Sequence, residues 1–365
     1  MSLLDHCPSA EHRAALRLTG IALGGAVEQE LLQDLSQTDP VRLATIANVE
    51  HVHCVWALAE GRDSALGAAL PEDLWLYLNE MTRANAVRVH KAREQLAWTG
   101  ELFADAGIHA VVLKGGADLL DPPAGGPEHR FISDLDILVP GANLEAARDL
   151  MLANGAKLPA DATDTPADHH HLPAFYFPDR EFPVELHFRV GEHLVASVLP
   201  ADEVLSRAIP SALPGIWLPS DPDRVVHHVL HASIMRHDTF RFYLRSLLDL
   251  HRWQTRSAEF AAATRRLEEV GQGAALHSLL GLRDLIIGRD SPVIQAEKAW
   301  LTRALYRFGK PAERQWIHLW SLLSAVVWRC AKDPSRLWHY LRLFTDRRSL
   351  SKRLSYWRSE TKKLR

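Results

Sequence analysis

Cysteine is scarce in this chain: three residues in 365, Cys7, Cys54 and Cys330, stand far apart with no CxxC pair. That excludes a disulfide framework and a thiolate zinc site, and it fits a reducing, cytoplasmic setting. Long apolar runs are missing as well. No window reaches the ~18 consecutive apolar residues of a membrane span, so no transmembrane segment is expected. The first twenty residues lack the basic start and continuous apolar stretch of a secretory signal. Nor does charge of one sign dominate. Lys plus Arg is 42 and Asp plus Glu is 45, a net charge of −3, which gives no global field toward nucleic acid or an anionic membrane. The motif GxxxxGK[ST] is absent, which excludes a P-loop, and so are HExxH and any internal repeat.

What is present is an ordinary globular composition, 47% hydrophobic and 24% charged, with room for a core and for about two domains at roughly 150 residues each. Residues 1–106 read as a helical N-terminal segment, with apolar residues at three and four spacing. Asp39 before Pro40 and Pro71 before Glu72 mark helix starts, and Gly107 marks a stop. Residues 107–195 change character. Valine-rich Ala110–Leu113, the run Ile132–Val139 and two runs within residues 173–190 read as strands, with a helix over Asn143–Asn154 stopped by Gly155. Residues 196–345 return to helices, and 346–365 form a basic tail. The fold class is therefore α/β in the α+β sense, a sheet-bearing core between two helical regions.

The segment RFISDLDILV carries the chemistry. In a strand, residues two apart share a face, so Asp134 and Asp136 project together while Leu135, Ile137 and Val139 face the core. Carboxylates about 7 Å apart on one strand face repel unless a cation lies between them, and a hard divalent ion is the natural occupant. Val184, Leu186, Phe188 and Val190 alternate with Glu185, His187 and Arg189, so a later strand offers a third carboxylate. If the two strands pair, Asp134, Asp136 and Glu185 converge into a site for one or two Mg²⁺ ions. Lys114, Gly115 and Gly116 fall between a strand and the short helical run ADLL, where backbone amides can approach phosphate oxygens. Arg130 and Ser133 stand just before the first aspartate and can hydrogen-bond phosphates.

Lys114-Gly115-Gly116, then Arg130 and Ser133-Asp134-Leu135-Asp136, then Val184-Glu185-Leu186-His187 resembles the nucleotidyltransferase superfamily of DNA polymerase beta type. More narrowly, it resembles a bacterial nucleotidyltransferase family long labelled uncharacterised. The glycine-to-aspartate spacing is longer than in the polymerase branch, and Glu185 stands where Asp is frequent. The resemblance implies a mixed-sheet core. It also implies transfer of a nucleoside monophosphate from a nucleoside triphosphate to a small-molecule, peptide or protein acceptor, with release of pyrophosphate. Asp134, Asp136 and Glu185 would be the catalytic and metal-binding residues, holding Mg²⁺, with Mn²⁺ as a substitute, and Glu185 would complete the metal site or act as general base on the acceptor hydroxyl. Lys114, Gly115, Gly116, Arg130 and Ser133 would bind the triphosphate. The alternatives are a catalytically silent scaffold of the same fold, or an RNA-binding or RNA-modifying protein that uses the basic tail.

Other constellations carry less weight. Asp168-His169-His170-His171 reads as an exposed loop with metal binding as the minority reading, and His227 and His231 share one helix face. His231, Arg245 and Asp249 can line a nucleotide cleft if the helical part closes over it, while an Arg245–Asp249 pair tying two helices explains those two equally well. The tryptophans Trp300, Trp316, Trp320, Trp328 and Trp338 read as helix-packing core, and Trp357 lies within the tail.

Overall fold

A computed structural model describes residues 2–59, 64–159, 169–233 and 242–310. Asp168, the later tryptophans and the basic tail lie outside the described residues.

Five short strands form one mixed sheet: β1 (Ala110–Val112), β2 (Leu135–Leu138), β3 (Val184–His187), β4 (Ile209–Pro210) and β5 (Ile216–Leu218). The order is β3-β2-β1-β5-β4. β2 runs antiparallel to β1 and parallel to β3, while β5 runs parallel to β1 and antiparallel to β4. The sheet thus continues past residue 195, because β4 and β5 come from a stretch expected to be helical. Strands of two and three residues are too short for alternation to appear in the sequence. Between Leu172 and Val190 only β3 forms a strand; the other run contributes isolated bridges such as Phe175 to Val184.

The helical boundaries follow the local chemistry. Asp39 accepts a hydrogen bond from the Val41 amide, with Pro40 at the first turn. The 34-residue helix Glu72–Asp105 begins after Pro71 with two acidic residues in its first turn and ends before Gly107 at φ +65°. Gly155 takes φ +90° after the helix Leu144–Ala153.

Two apolar clusters sandwich the sheet. Leu135, Ile137, Val184 and Leu186 join Val89, Leu96 and Phe103 of the long helix and Ala147 and Met151 on one face. Val111, Leu113 and Leu138 on the other face join a larger cluster shared by N-terminal and C-terminal helices, among them Leu16, Leu230 and Leu282. Described residues of the first and last helical regions thus pack into one cluster. Each fully buried Leu or Val contributes about 1.5–3 kcal/mol. Gly20 is required where helix Ala10–Ala22 crosses Gly273–Ile286, since a Cβ there would overlap the Ile286 carbonyl. Among the described residues no helix is long and apolar enough to cross a membrane.

Candidate functional site

The parallel register of β2 and β3 sets Asp136 opposite Glu185 and Leu138 opposite His187. Alternation then brings Asp136, Glu185 and His187 onto one face, the face toward the helical region. Their ligand atoms all lie within 4.8 Å of one another. Asp136 is 3% exposed, and its Oδ1 accepts from Lys114 Nζ at 2.7 Å and lies 2.8 Å from His187 Nε2. Burial pushes the Asp136 carboxyl upward, but the Lys114 ammonium and His187 hold it far below the usual carboxylate range.

His187 is fully buried, and its other ring nitrogen lies 3.3 Å from the Arg189 carbonyl. Both nitrogens face oxygen acceptors, an arrangement that favours positive charge on the ring. Burial opposes that charge, and the hydrogen bonds to Asp136 and Glu185 overcome it and raise the His187 pKa. Glu185 Oε2 lies 3.7 Å from His187 and 3.6 Å from His171. Burial acts against ionisation of Glu185, yet His187 and His171 lower its pKa. Asp134 precedes β2, half-buried, and accepts from Ser133 Oγ at 3.1 Å. Burial and then Asp136 raise its pKa. The repulsion expected between the two aspartates is present, and the positive charge that balances it comes from Lys114 and His187.

Lys114 opens the helix Lys114–Leu120 with φ +48°, a left-handed conformation that disfavours residues with a Cβ. Gly115 and Gly116 lie inside this helix, not in a loop. A Cβ at Gly115 would meet the Arg130 guanidinium, and one at Gly116 would meet the Val112 side chain. Gly115 lines the cleft; Gly116 serves close packing. The Arg130 guanidinium spans two carboxylates, Asp249 at 3.0 Å and Asp118 at 3.3 Å.

Lys114, Gly115, Arg130 and Asp136, though neither Glu185 nor His187, line a cleft of about 140 Å³ between the sheet and the helices Asp221–Ser233 and Leu244–Trp253. Lys114, Gly115, Arg130, Ser133, Asp134 and Asp136 form one wall, and His227, His231, Arg245 and Asp249 contribute to the other. The cleft expected from the helical part is thus present, and Asp249 reaches Arg130. Ion pairs hold the walls together: Arg224, 3% exposed at its side chain, bonds Asp118 at 2.8 Å, Asp121 at 2.7 Å and Asp221 at 3.1 Å, and Arg256 adds Asp121 at 2.6 Å.

Sequence reasoning gave His187 no role and treated His169–His171 as exposed. His169 is exposed, but His170 and His171 are half-buried, and their rings lie 5.2 and 5.0 Å from that of His187. Burial and His187 push His170 down to about 3. The alternation that pointed to Glu185 also set His187 on its face. The approach of His171 depends on a bridge to β3 that no local pattern announces.

A divalent cation fits the chemistry of this donor set, two carboxylates and an imidazole converging with a third carboxylate beside them. Residues 36–288, more than half of the chain, match a family model described as an uncharacterised nucleotidyltransferase. The sequence matches no curated protein.

Proposed function

The chain belongs to the uncharacterised nucleotidyltransferase family, and from that premise we propose that it moves a nucleoside monophosphate from a nucleoside triphosphate to a hydroxyl or phosphate acceptor on a small molecule, peptide or protein. The observation that carries this reading is the side-by-side register of Asp136 and Glu185, with Asp134 two residues before Asp136 and Lys114 on its carboxylate. In the reaction the acceptor oxygen bonds to the α-phosphorus, the bond to the bridging α,β-oxygen breaks, pyrophosphate leaves, and the proton of a hydroxyl acceptor passes to solvent.

Asp134, Asp136 and Glu185 would hold the cation, Mg²⁺ or Mn²⁺, with His187 against the same carboxylates. Bound there, it would neutralise triphosphate charge and lower the pKa of an oxygen on it. The lowered pKa of Glu185 keeps it ionised, which suits holding a cation better than taking a proton. Lys114, released from Asp136 when the carboxylates are otherwise neutralised, has the length and charge to pair with triphosphate oxygens. Ser133 and the cleft-lining Gly115 lie beside it. Arg130, held by Asp118 and Asp249, fixes the wall and stands beside Ser133 in the cleft lining, where it can reach the triphosphate. Positioning and electrostatic stabilisation of this kind supply most of the rate in phosphoryl transfer.

Nucleoside triphosphate labelled at the α- or the γ-phosphate tests the reaction type in the presence of a cell extract as acceptor source. Transfer of the α-label alone supports nucleotidyl transfer. Transfer of the γ-label identifies a phosphotransferase and refutes it.

A further inference from the structure

The helix Asp221–Ser233 presents two different faces. Val225, Val226, Val229 and Leu230 are fully buried in the core. Arg224, His227, His228 and His231 line the cleft. Two cleft-lining residues carry buried side-chain nitrogens with no hydrogen-bond partner among the described residues: Nε of Arg224 and Nε2 of His227. The other Arg224 nitrogens are engaged by three carboxylates. The neighbouring His228 turns to the opposite helix, its Nε2 lying 3.1 Å from the Ser246 carbonyl. His227, 5% exposed, has no such bond at Nε2. A buried polar atom left unpaired costs stability and calls for an explanation.

The surroundings supply one. Burial holds the His227 imidazole neutral, its pKa pushed down to about 3, and Lys114, Asp136 and His187 are near enough to act on it. His227 is not among the three residues whose ligand atoms converge within 4.8 Å. Lys114, Arg130, Arg224 and Arg245 line the same cleft together with Asp118, Asp134, Asp136, Asp223 and Asp249, so on the nucleotidyltransferase reading it is the triphosphate, gathered at the carboxylates by their cation, that would extend toward His227. The geometry points to His227 as a triphosphate-binding residue, its Nε2–H donating to a non-bridging phosphate oxygen from the helical wall, opposite Lys114. This rests on the nucleotidyltransferase reading and adds to it a contact from outside the sheet. A neutral donor there grips the polyphosphate without placing another charge beside the cation site.

The test uses inorganic tripolyphosphate with Mg²⁺, which carries the phosphates without a base, and calorimetry on the full chain. His227→Leu should bind it about tenfold more weakly than wild type, since one hydrogen bond to a charged group is lost. The ligand-free melting temperature of His227→Leu should be equal or higher, because an unsatisfied buried nitrogen is removed. His227→Gln, which returns an N–H near the position of Nε2, should recover part of the affinity. Equal affinity in wild type and His227→Leu overturns this inference alone. So does a His227→Gln variant as weak as His227→Leu, or a His227→Leu variant that melts markedly lower, which assigns His227 to packing. A wild type that binds no Mg²⁺-tripolyphosphate overturns the triphosphate reading and this inference with it.

Discussion

Replacing Lys114 separates two contributions made by one residue. Its backbone stands at φ +48°, a conformation that costs a residue with a Cβ about 1 kcal/mol and glycine almost nothing. Its ammonium lies 2.7 Å from Asp136 Oδ1, with the lysine side chain 23% exposed and the aspartate 3%. Lys114→Ala loses the ammonium and keeps the strain, whereas Lys114→Gly loses both. Without added cation, Lys114→Gly should therefore be more stable than Lys114→Ala by about 1 kcal/mol. In both variants the ammonium is gone from Asp136, so a divalent cation no longer competes with it. If that competition costs wild type tenfold in cation affinity, saturating Mg²⁺ or Mn²⁺ should stabilise each variant by about 1.4 kcal/mol more than it stabilises wild type. Urea unfolding with and without millimolar cation reads both effects. Equal stability of the two variants would refute the strain argument. A cation increment no larger than that of wild type would refute a cation site at Asp136.

Three further outcomes are expected. Arg224→Met removes one guanidinium, its side chain 3% exposed, from Asp118, Asp121 and Asp221, which keep Arg130 or Arg256, and should cost about 1–3 kcal/mol. Calorimetry should then show a melting temperature a few degrees lower, and an unchanged one would contradict the role given to the network. Gly20→Ala drives a methyl into the Ile286 carbonyl and should destabilise by about 1–3 kcal/mol. Its activity per folded molecule should be unchanged, and a lower specific activity would mean that the crossing shapes the cleft. His51, stacked on Phe131 at 5.3 Å, is pushed by burial and Arg245 from 6.5 to about 4. The unfolded chain then binds the extra proton, so the His51 share of stability is complete above pH 6.5 and is lost as pH falls toward 4. His51→Asn, which tolerates the left-handed φ of +55°, should flatten the urea-midpoint profile between pH 7.5 and 5 by up to about 2 kcal/mol; a profile parallel to that of wild type would refute the assignment.

The parts of the site legible in sequence were those governed by short-range periodicity. Alternation set Asp136 and Glu185 on polar strand faces, and the β2–β3 register then brought them side by side. The caps at Asp39 and Pro40 and the stops at Gly107 and Gly155 were equally readable, because each depends on one residue's own conformational chemistry. Partners distant in sequence were not. Arg130 meets Asp249 across 119 positions, and the second strand beside β1, β5, is three residues long. The packing of Arg130 and Val112 against the double glycine was not legible either, since only the folded chain creates that contact. The histidines around His187 depend on the same long-range assembly.

The most direct test of the central claim is pyrophosphate release. Wild type and Asp136→Asn are each incubated with Mg²⁺, each of the four ribonucleoside triphosphates in turn, and an extract containing candidate acceptors. Asp136→Asn keeps the shape of a residue 3% exposed while removing the charge that holds the cation, so a loss of at least about 10³-fold is expected in a variant shown by circular dichroism to be folded. Release by wild type with one nucleotide, and none above background by the variant, is the predicted result. Equal release by both proteins would contradict the account.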